Sequence, residues 1–532
     1  MSLRSSLSAL ILGAVLAQAP LSAVSAAPLF TPMQQSVARA AAGDDVIASF
    51  YRDRKFAPVW IGPSDDPRVA ERRAALVWAL DQAEVHGLPA DRYRADEIRA
   101  EFAAATTPAA RGALEVAMTR RPLRYARDVS SGLLDPRRID SGLVLDKPSR
   151  DWAAELATFA DGDPHAFVQG LWPRSPAYLR LLREKLRLEE MVRAGGWGGE
   201  VPRVTMKPGE SGPAVVALRN RLIRMGYMGR SAIAGYDSTL EAAVRRFQED
   251  HGLAADGAVG PATLAALNVP LSDRMNQVLI GLERQRWMNK ALEPRHVLVN
   301  LAEQRAYVVD DGKVSFETVV VVGADTPDRR TPEFSHTMTH MVVNPSWYVP
   351  RSITVNEYLP ALRRGGARHL EVYSRNGRVN PNNVDFSRYN ASNFPFSLKQ
   401  PPGPRNALGR VKFMFPNRWN IYLHDTPAKA LFGRDVRTFS HGCVRVGEPF
   451  ELAYHLLAAQ EADPKGTFDA ILRTGAERRV NLEQPIGVHL VYWSAWVTPE
   501  GRVNYRGDPY GRDRAVLAAL REAGVALAGG EG

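Results

Sequence analysis

The sequence predicts a multidomain α+β protein with a helical scaffold, a three-helix module and a β-rich domain carrying a capping insertion. Three observations predict it. The chain has 532 residues, more than one hydrophobic core normally supports. Apolar residues recur at helical spacing through the first half. From His296 the period changes to valine-rich alternation. A hydrophobic fraction of 45% and a charged fraction of 24% are ordinary for globular proteins.

The first element is MSLRSSLSALILGAVLAQAPLSAVSAAP. Arg4 gives a positive end, Leu7 to Leu16 form an uncharged apolar run, and Val24-Ser25-Ala26 offers small residues. This reads as a signal peptide over 1–26, cleaved after Ala26, and so as export to the periplasm. An uncleaved anchor has a similar look, but Pro20 interrupts a stretch already short of the ~20 residues a span needs. No later segment is long and apolar enough to cross a bilayer, so no transmembrane segment is expected after cleavage. The net charge of +10 favours anionic partners such as wall polymer or lipid headgroups. No compact Lys/Arg run with interleaved aromatics supports a nucleic acid partner.

Residues 27–200 read as a helical scaffold domain. ERRAALVWALDQAEVHG places Ala75, Trp78, Ala79 and Ala83 at helical spacing and stops at Gly87. PAYLRLLREKLRLEEMVRAGGW places Leu179, Leu182, Leu186 and Met191 on one predicted face. FYRDRKFAPVWIGP is either a docking segment or a turn with core aromatics.

Residues 205–270 change character. An amphipathic helix runs through Val215, Leu218, Leu222 and Met225. A second follows, with Ser238 as expected N-cap, Glu241 as capping-box partner, and Leu240, Val244 and Phe247 as apolar face. Pro261 suits the first turn of a short third helix. The pattern AVRRFQEDHGLAADGAVGPATLAALN resembles the peptidoglycan-binding module, which implies wall-polymer binding. A structural spacer is the alternative.

Residues 271–294 read as a linker helix. The β-rich region spans 295–480, with Asp310-Asp311-Gly312-Lys313 as a turn between strands. Residues 351–400 interrupt it with a helical stretch and an Asn-rich run, read as an insertion capping the sheet. Residues 481–532 form a C-terminal segment.

Chemistry concentrates in TFSHGCVRV, which holds the only cysteine, Cys443. One cysteine cannot pair within an exported chain, so its thiol needs another reason. His424 lies nineteen residues before it and His441 two before it. An imidazole beside a thiol can take its proton and make it a nucleophile for acyl transfer. Gly442 permits a tight turn that aims N–H groups at a developing oxyanion. Arg445 adds positive charge to favour thiolate or hold a carboxylate. A Cys/His/His zinc site lacks a fourth ligand at a usual spacing, so no metal is expected.

HDTPAKALFGRDVRTFSHGCVRV resembles the signature of the L,D-transpeptidase catalytic domain. His424, Ser440, His441, Gly442, Cys443 and Arg445 meet its fixed positions. NPSWYVPRSI, QPPGPRNALGRVKFMFPN and VHLVYWSAWVTPEGRVNYRGDPYGRD resemble the large periplasmic branch of that family. The resemblance implies a thioester on Cys443, formed at the bond between meso-diaminopimelate and the terminal D-alanine of a tetrapeptide stem. An amine of a second stem then resolves it into a 3→3 cross-link. His424 maps to the base. His441 maps to a histidine that orients the site and lends backbone to the oxyanion hole. Acylation by carbapenems is also implied, and no cofactor or metal.

Tyr422 shares the side of His424 and is a pocket candidate. Asn406 and Gly409 are candidates for shaping a substrate groove, and Trp347 and Tyr348 for stacking on a stem. Asp425, on the opposite face of an extended strand, is left out. The expected partners are peptidoglycan tetrapeptide stems, with other cell-wall synthases as candidates. Two alternatives stay open: the same acyl-enzyme with another acceptor (water, a D-amino acid or a protein amine), and a catalytically silent wall-binding scaffold.

Overall fold

Helix starts in the N-terminal region are written into the sequence. Six helices open with Thr, Asp or Ser as side-chain cap followed by proline: Pro32–Ala41, Pro67–Asp81, Pro108–Ser131, Pro136–Ile139, Pro164–Leu171 and Pro176–Arg193. The cap oxygen accepts an orphan N–H, and proline has none to leave unmet. The computed structural model describes residues 30–63 and 66–526. The expected signal peptide lies outside them. Among the described residues no helix is long and apolar enough to cross a membrane.

The scaffold core forms around the helix Pro108–Ser131. Its Glu115 is fully buried and accepts the N–H groups of Val59 (2.5 Å), Trp60 (3.1 Å) and Ile61 (3.0 Å), and the Tyr51 hydroxyl (2.8 Å). The aromatic segment FYRDRKFAPVWIGP is therefore clasped into the core. The helix Pro176–Arg193 corrects an expectation: it buries Tyr178, Leu181, Lys185 and Leu188, while Leu179 and Leu186 are exposed. Its leucines satisfy helical spacing on two adjacent faces, and packing against the helix Leu271–Trp287 selects one.

The three-helix module comprises Pro213–Met225, Ser238–Asp250 and Pro261–Leu267 around its own core of Leu218, Leu222, Leu240, Val244 and Phe247. Its second helix is capped by Asp237, whose carboxylate accepts from the Leu240 N–H at 3.0 Å. The expected cap, Ser238, is the first helical residue, because the more acidic neighbour takes the role. Glu241 bonds Arg245 instead of closing a capping box.

The helix Leu271–Trp287 is a core strut and not a linker. Its apolar side chains pack with Tyr178 and Leu181 of the scaffold and with Ala495, Val516 and Leu520 near the C-terminal end.

The C-terminal region has fifteen strands: β1 (Arg295–Asn300), β2 (Arg305–Asp310), β3 (Lys313–Gly323), β4 (Phe334–Val343), β5 (Trp347–Tyr348), β6 (Glu371–Ser374), β7 (Gly377–Val379), β8 (Ser397–Gln400), β9 (Val411–Met414), β10 (Leu423–His424), β11 (Thr438–Ser440), β12 (Val444–Val446), β13 (Arg478–Val491), β14 (Ala495–Val497) and β15 (Val503–Tyr505). The main sheet has the order β11-β3-β12-β10-β9-β4-β13-β1-β2, and a further β2–β3 pairing closes it on itself. The strand β13 runs through the expected boundary at 480 and lies between β4 and β1. Residues 481–491 thus belong to the main sheet, and β14–β15 is a separate hairpin.

The insertion is a small unit of its own. β5, β8, β6 and β7 form a four-stranded sheet with a separate core around Leu359, Val372 and Leu398. A helical run crosses its base: Arg351–Ile353, a wider π-helical turn Thr354–Tyr358, then Leu359–Arg363. Pro360 has no N–H to give and crowds the carbonyl four residues back, so the preceding turn opens.

Candidate active site

The main sheet brings the cysteine and both its flanking chemistries to one face. In β10 and β12, Leu423 pairs with Val444 and His424 with Arg445, in parallel. Leu423 and Val444 are fully buried in the core. Strand alternation therefore puts Tyr422, His424, Cys443 and Arg445 on the opposite face. Lys412 of β9 pairs with His424 and joins them. His424 and Cys443 are diagonal neighbours, within reach of a ring side chain.

The His424 Nδ1 bonds the backbone oxygen of Asp425 at 2.5 Å. That acceptor requires the proton on Nδ1 and leaves Nε2 as the basic nitrogen. The Asp425 carboxylate is spent elsewhere, on the N–H groups of Arg410 and Thr426 and on Lys429. The orienting partner of His424 is thus a main-chain carbonyl, which residue types do not reveal.

The thiol donates to the Asn420 carbonyl at 3.5 Å. The hydrogen bond expected between thiol and His424 is not among those made by the described residues. Asn420 has a φ of 59°, a left-handed conformation that asparagine tolerates best after glycine. The Asn417 side chain holds that turn, bonding Phe415 O and Ile421 O at 2.7 Å each.

The motif backbone is fixed residue by residue. The Ser440 Oγ donates to the Cys443 carbonyl (2.5 Å) and accepts from the Gly442 N–H (3.1 Å). Gly442 has a φ of 108°, open only to glycine without strain. Its carbonyl accepts from Thr331 Oγ1 at 2.8 Å. The Gly442 N–H is therefore spent, while the amides of His441 and Cys443 have no acceptor among the described residues.

Residues 294–480 match the L,D-transpeptidase catalytic domain family, 45–186 the scaffold domain family, and 211–267 the family described as "Putative peptidoglycan binding domain". A Haemophilus influenzae protein named "Putative L,D-transpeptidase" is 33% identical over 230 residues, 42% of this chain and 45% of that one. Residues 294–480 are an L,D-transpeptidase catalytic domain. The chain spans about half the length of that curated relative. Two solved L,D-transpeptidases are also similar, each at 17% identity. That of Xylanimonas cellulosilytica covers 55% of this chain and 98% of its own, with a TM-score of 0.17. That of Stackebrandtia nassauensis covers 54% and 94%, with a TM-score of 0.22. Superpositions this loose leave the assignment to the sequence matches.

In the transpeptidase domain the resting pair is neutral on both sides. Burial, then the Arg445 charge, lowers the His424 pKa to about 4. Burial raises the Cys443 thiol to about 11, against the pull of Tyr422, Arg445 and Lys412. Arg445 has no carboxylate partner among the described residues, and its buried Nε has no acceptor. Arg445 and Lys412 thus both act on the sulfur, Lys412 with the Glu477 charge also in range. Lys412 carried no sequence signal, because only strand pairing brings it to His424.

The remaining candidates separate. The His441 side chain turns away from the thiol and bonds Glu357 of the insertion at 2.6 Å. Trp347 is buried in the insertion core, so it packs and does not stack on a ligand. Tyr348 is 65% exposed, with Lys399 Nζ 5.4 Å from its ring centre. Asn406 is buried and spends its amide on the Gln400 and Pro401 carbonyls, holding the loop. Gly409 has a φ of 62°, and a Cβ there would lie 2.2 Å from the Asp425 carboxylate. It lets that loop press against the residue that orients His424. A cavity of about 320 Å³ opens beside His441 and Gly442, walled by Asp140, Arg330, Trp419 and Ile421. Among the described residues no group of three or more His, Cys, Asp or Glu is arranged to hold a metal ion.

Proposed function

We propose that this chain is a cysteine-dependent L,D-transpeptidase forming 3→3 cross-links in peptidoglycan through a thioester on Cys443. The observation that carries the reading is the shared face of His424 and Cys443, with His424 Nδ1 held by Asp425 O and Nε2 left basic. The reading requires the thiol to rotate away from the Asn420 carbonyl toward Nε2.

In the first step Nε2 takes the thiol proton as sulfur attacks the carbonyl between meso-diaminopimelate and D-alanine. A C–S bond forms, and the Cys443 N–H accepts the oxyanion's charge as a hydrogen-bond donor. The C–N bond then breaks, and the imidazolium returns its proton to the leaving D-alanine amine. In the second step a neutral side-chain amine of another stem attacks the thioester and gives a proton to His424. The new C–N bond forms, the C–S bond breaks, and sulfur recovers the proton. Because the resting pair is neutral, proton transfer accompanies attack. Arg445 and Lys412 stabilise the sulfur as negative charge develops.

The domain plan supports this reading: a scaffold over 27–200, a wall-binding module over 205–270 and a catalytic region from 295. The cavity beside Gly442 is suited to one stem. The peptidoglycan-acting domains imply a cell-wall or periplasmic location, and the leader over 1–26 is the proposed route there.

Intact-mass analysis after incubation with a carbapenem tests the nucleophile. A single adduct on Cys443 is expected, and none on C443A. Incubation with disaccharide-tetrapeptide then tests the acceptor. Cross-linked dimer with released D-alanine is expected; tripeptide alone replaces the second stem with water.

A further inference from the structure

The insertion reaches the catalytic motif through one side chain. Glu357 sits in the wide turn Thr354–Tyr358. Its Oε1 accepts from His441 Nε2 at 2.6 Å and from Arg329 Nη2 at 2.8 Å. Among the described residues the Glu357–His441 bond is the hydrogen bond that joins insertion and motif; Arg329, between β3 and β4, braces the same carboxylate, and Tyr422 packs against both cores. Glu357 is 38% exposed at its side chain and His441 32%. A contact this open contributes little to stability. Among the described residues it is nevertheless the only side-chain hydrogen bond His441 makes. One residue on, Gly442 is pinned from behind by buried Thr331. Two residues on lies the unspent Cys443 N–H.

From this geometry we infer that Glu357 is a positioning residue: it transmits closure of the cap to the backbone of His441–Gly442–Cys443. With the cap seated, His441 is held and the Cys443 amide is fixed where an oxyanion forms. With the cap lifted, His441 loses its acceptor and that amide loosens. Substrate that seats the cap thereby completes its own oxyanion site. The π-helical turn serves this by carrying Glu357 to the motif, which a regular helix through Pro360 does not allow. The inference rests on Cys443 being the nucleophile.

The test is carbapenem acylation of the full chain, resolved into a limiting rate and a half-saturating concentration. E357A is expected to lower the limiting rate ~10–100-fold, the cost of a small misplacement of a catalytic group, with the half-saturating concentration unchanged. E357Q keeps an acceptor for His441 and is expected to recover most of the rate. Hydrogen exchange over 439–443 is expected to quicken in E357A and not in E357Q. Wild-type rate in E357A overturns the inference. So does equal slowing in both variants, or a change confined to the half-saturating concentration. Adduct formation by C443A would instead overturn the reading of the nucleophile, whatever Glu357 does.

Discussion

The loop that carries Cys443 has two unlike sides. Behind it, Thr331 bonds Gly442 O, Arg512 bonds Thr331 O at 2.9 Å, and Glu333 accepts from Arg284 (2.8 Å) and Arg512 (3.1 Å). These four residues are at most 2% exposed. The Glu333 backbone also pairs with Gly142 O and the Val144 N–H of the scaffold region. In front, the Glu357–His441–Arg329 contact is over a third exposed at Glu357 and spans two units with separate cores. The same kinds of charge serve opposite purposes. A buried network, once desolvated, is costly to break and holds the loop still. A wet pair breaks readily, as the inferred movement of the cap requires.

Four substitutions break or sharpen that contrast. E333A removes the carboxylate shared by buried Arg284 and Arg512, leaving Arg284 only Asp513 at 3.3 Å and Arg512 only Asp140 at 3.8 Å, and about 3–5 kcal/mol of stability is expected to be lost; urea unfolding measures it. E115A in the scaffold is the internal control, because it too removes a buried carboxylate, here one that satisfies three amides, without touching the loop. A similar stability loss is expected there, and per folded molecule acylation should be untouched. T331V replaces a hydroxyl that donates to Gly442 O and accepts from the Gly323 N–H. A loss of about 1–3 kcal/mol is expected from unmet buried groups, together with slower acylation. E357A is expected to change urea stability by about 1 kcal/mol or less while slowing acylation more than T331V does, which would separate rigidity from positioning.

The smallest effect is electrostatic. Alkylation of Cys443 by iodoacetamide requires thiolate, so its rate should climb with pH toward the thiol pKa of about 11. Arg445 pulls that pKa down, so R445L should move the profile to higher pH. The base behaves oppositely: His424, at about 4, is protonated only in acid, and loss of acylation through it should begin near that pH.

Much of the plan was legible because it rests on local rules. The change from helical to alternating period marked the β-rich region, and the spacing of His424 and Ser440 to Arg445 marked the site. What stayed hidden depends on packing. The buried face of Pro176–Arg193 could not be read because its leucines fit two faces. The boundary expected at 480, where the family match also ends, cuts β13, which begins before it and pairs with strands far away in sequence. Lys412 and Glu357 reach the site through strand register and an inter-unit contact, neither of which has a local signature. The partner of His424 is a carbonyl that every residue carries.

The long strand β13 has a consequence for how this protein can be divided. Its second half, Arg512 and the strut helix all lie outside residues 294–480, yet each supports the reacting loop or its sheet. A fragment trimmed to the family boundaries would lose a central strand and the guanidinium groups at its back. The reactive unit therefore has to be handled together with its flanks, and the chain divides less readily than its separately recognisable parts suggest.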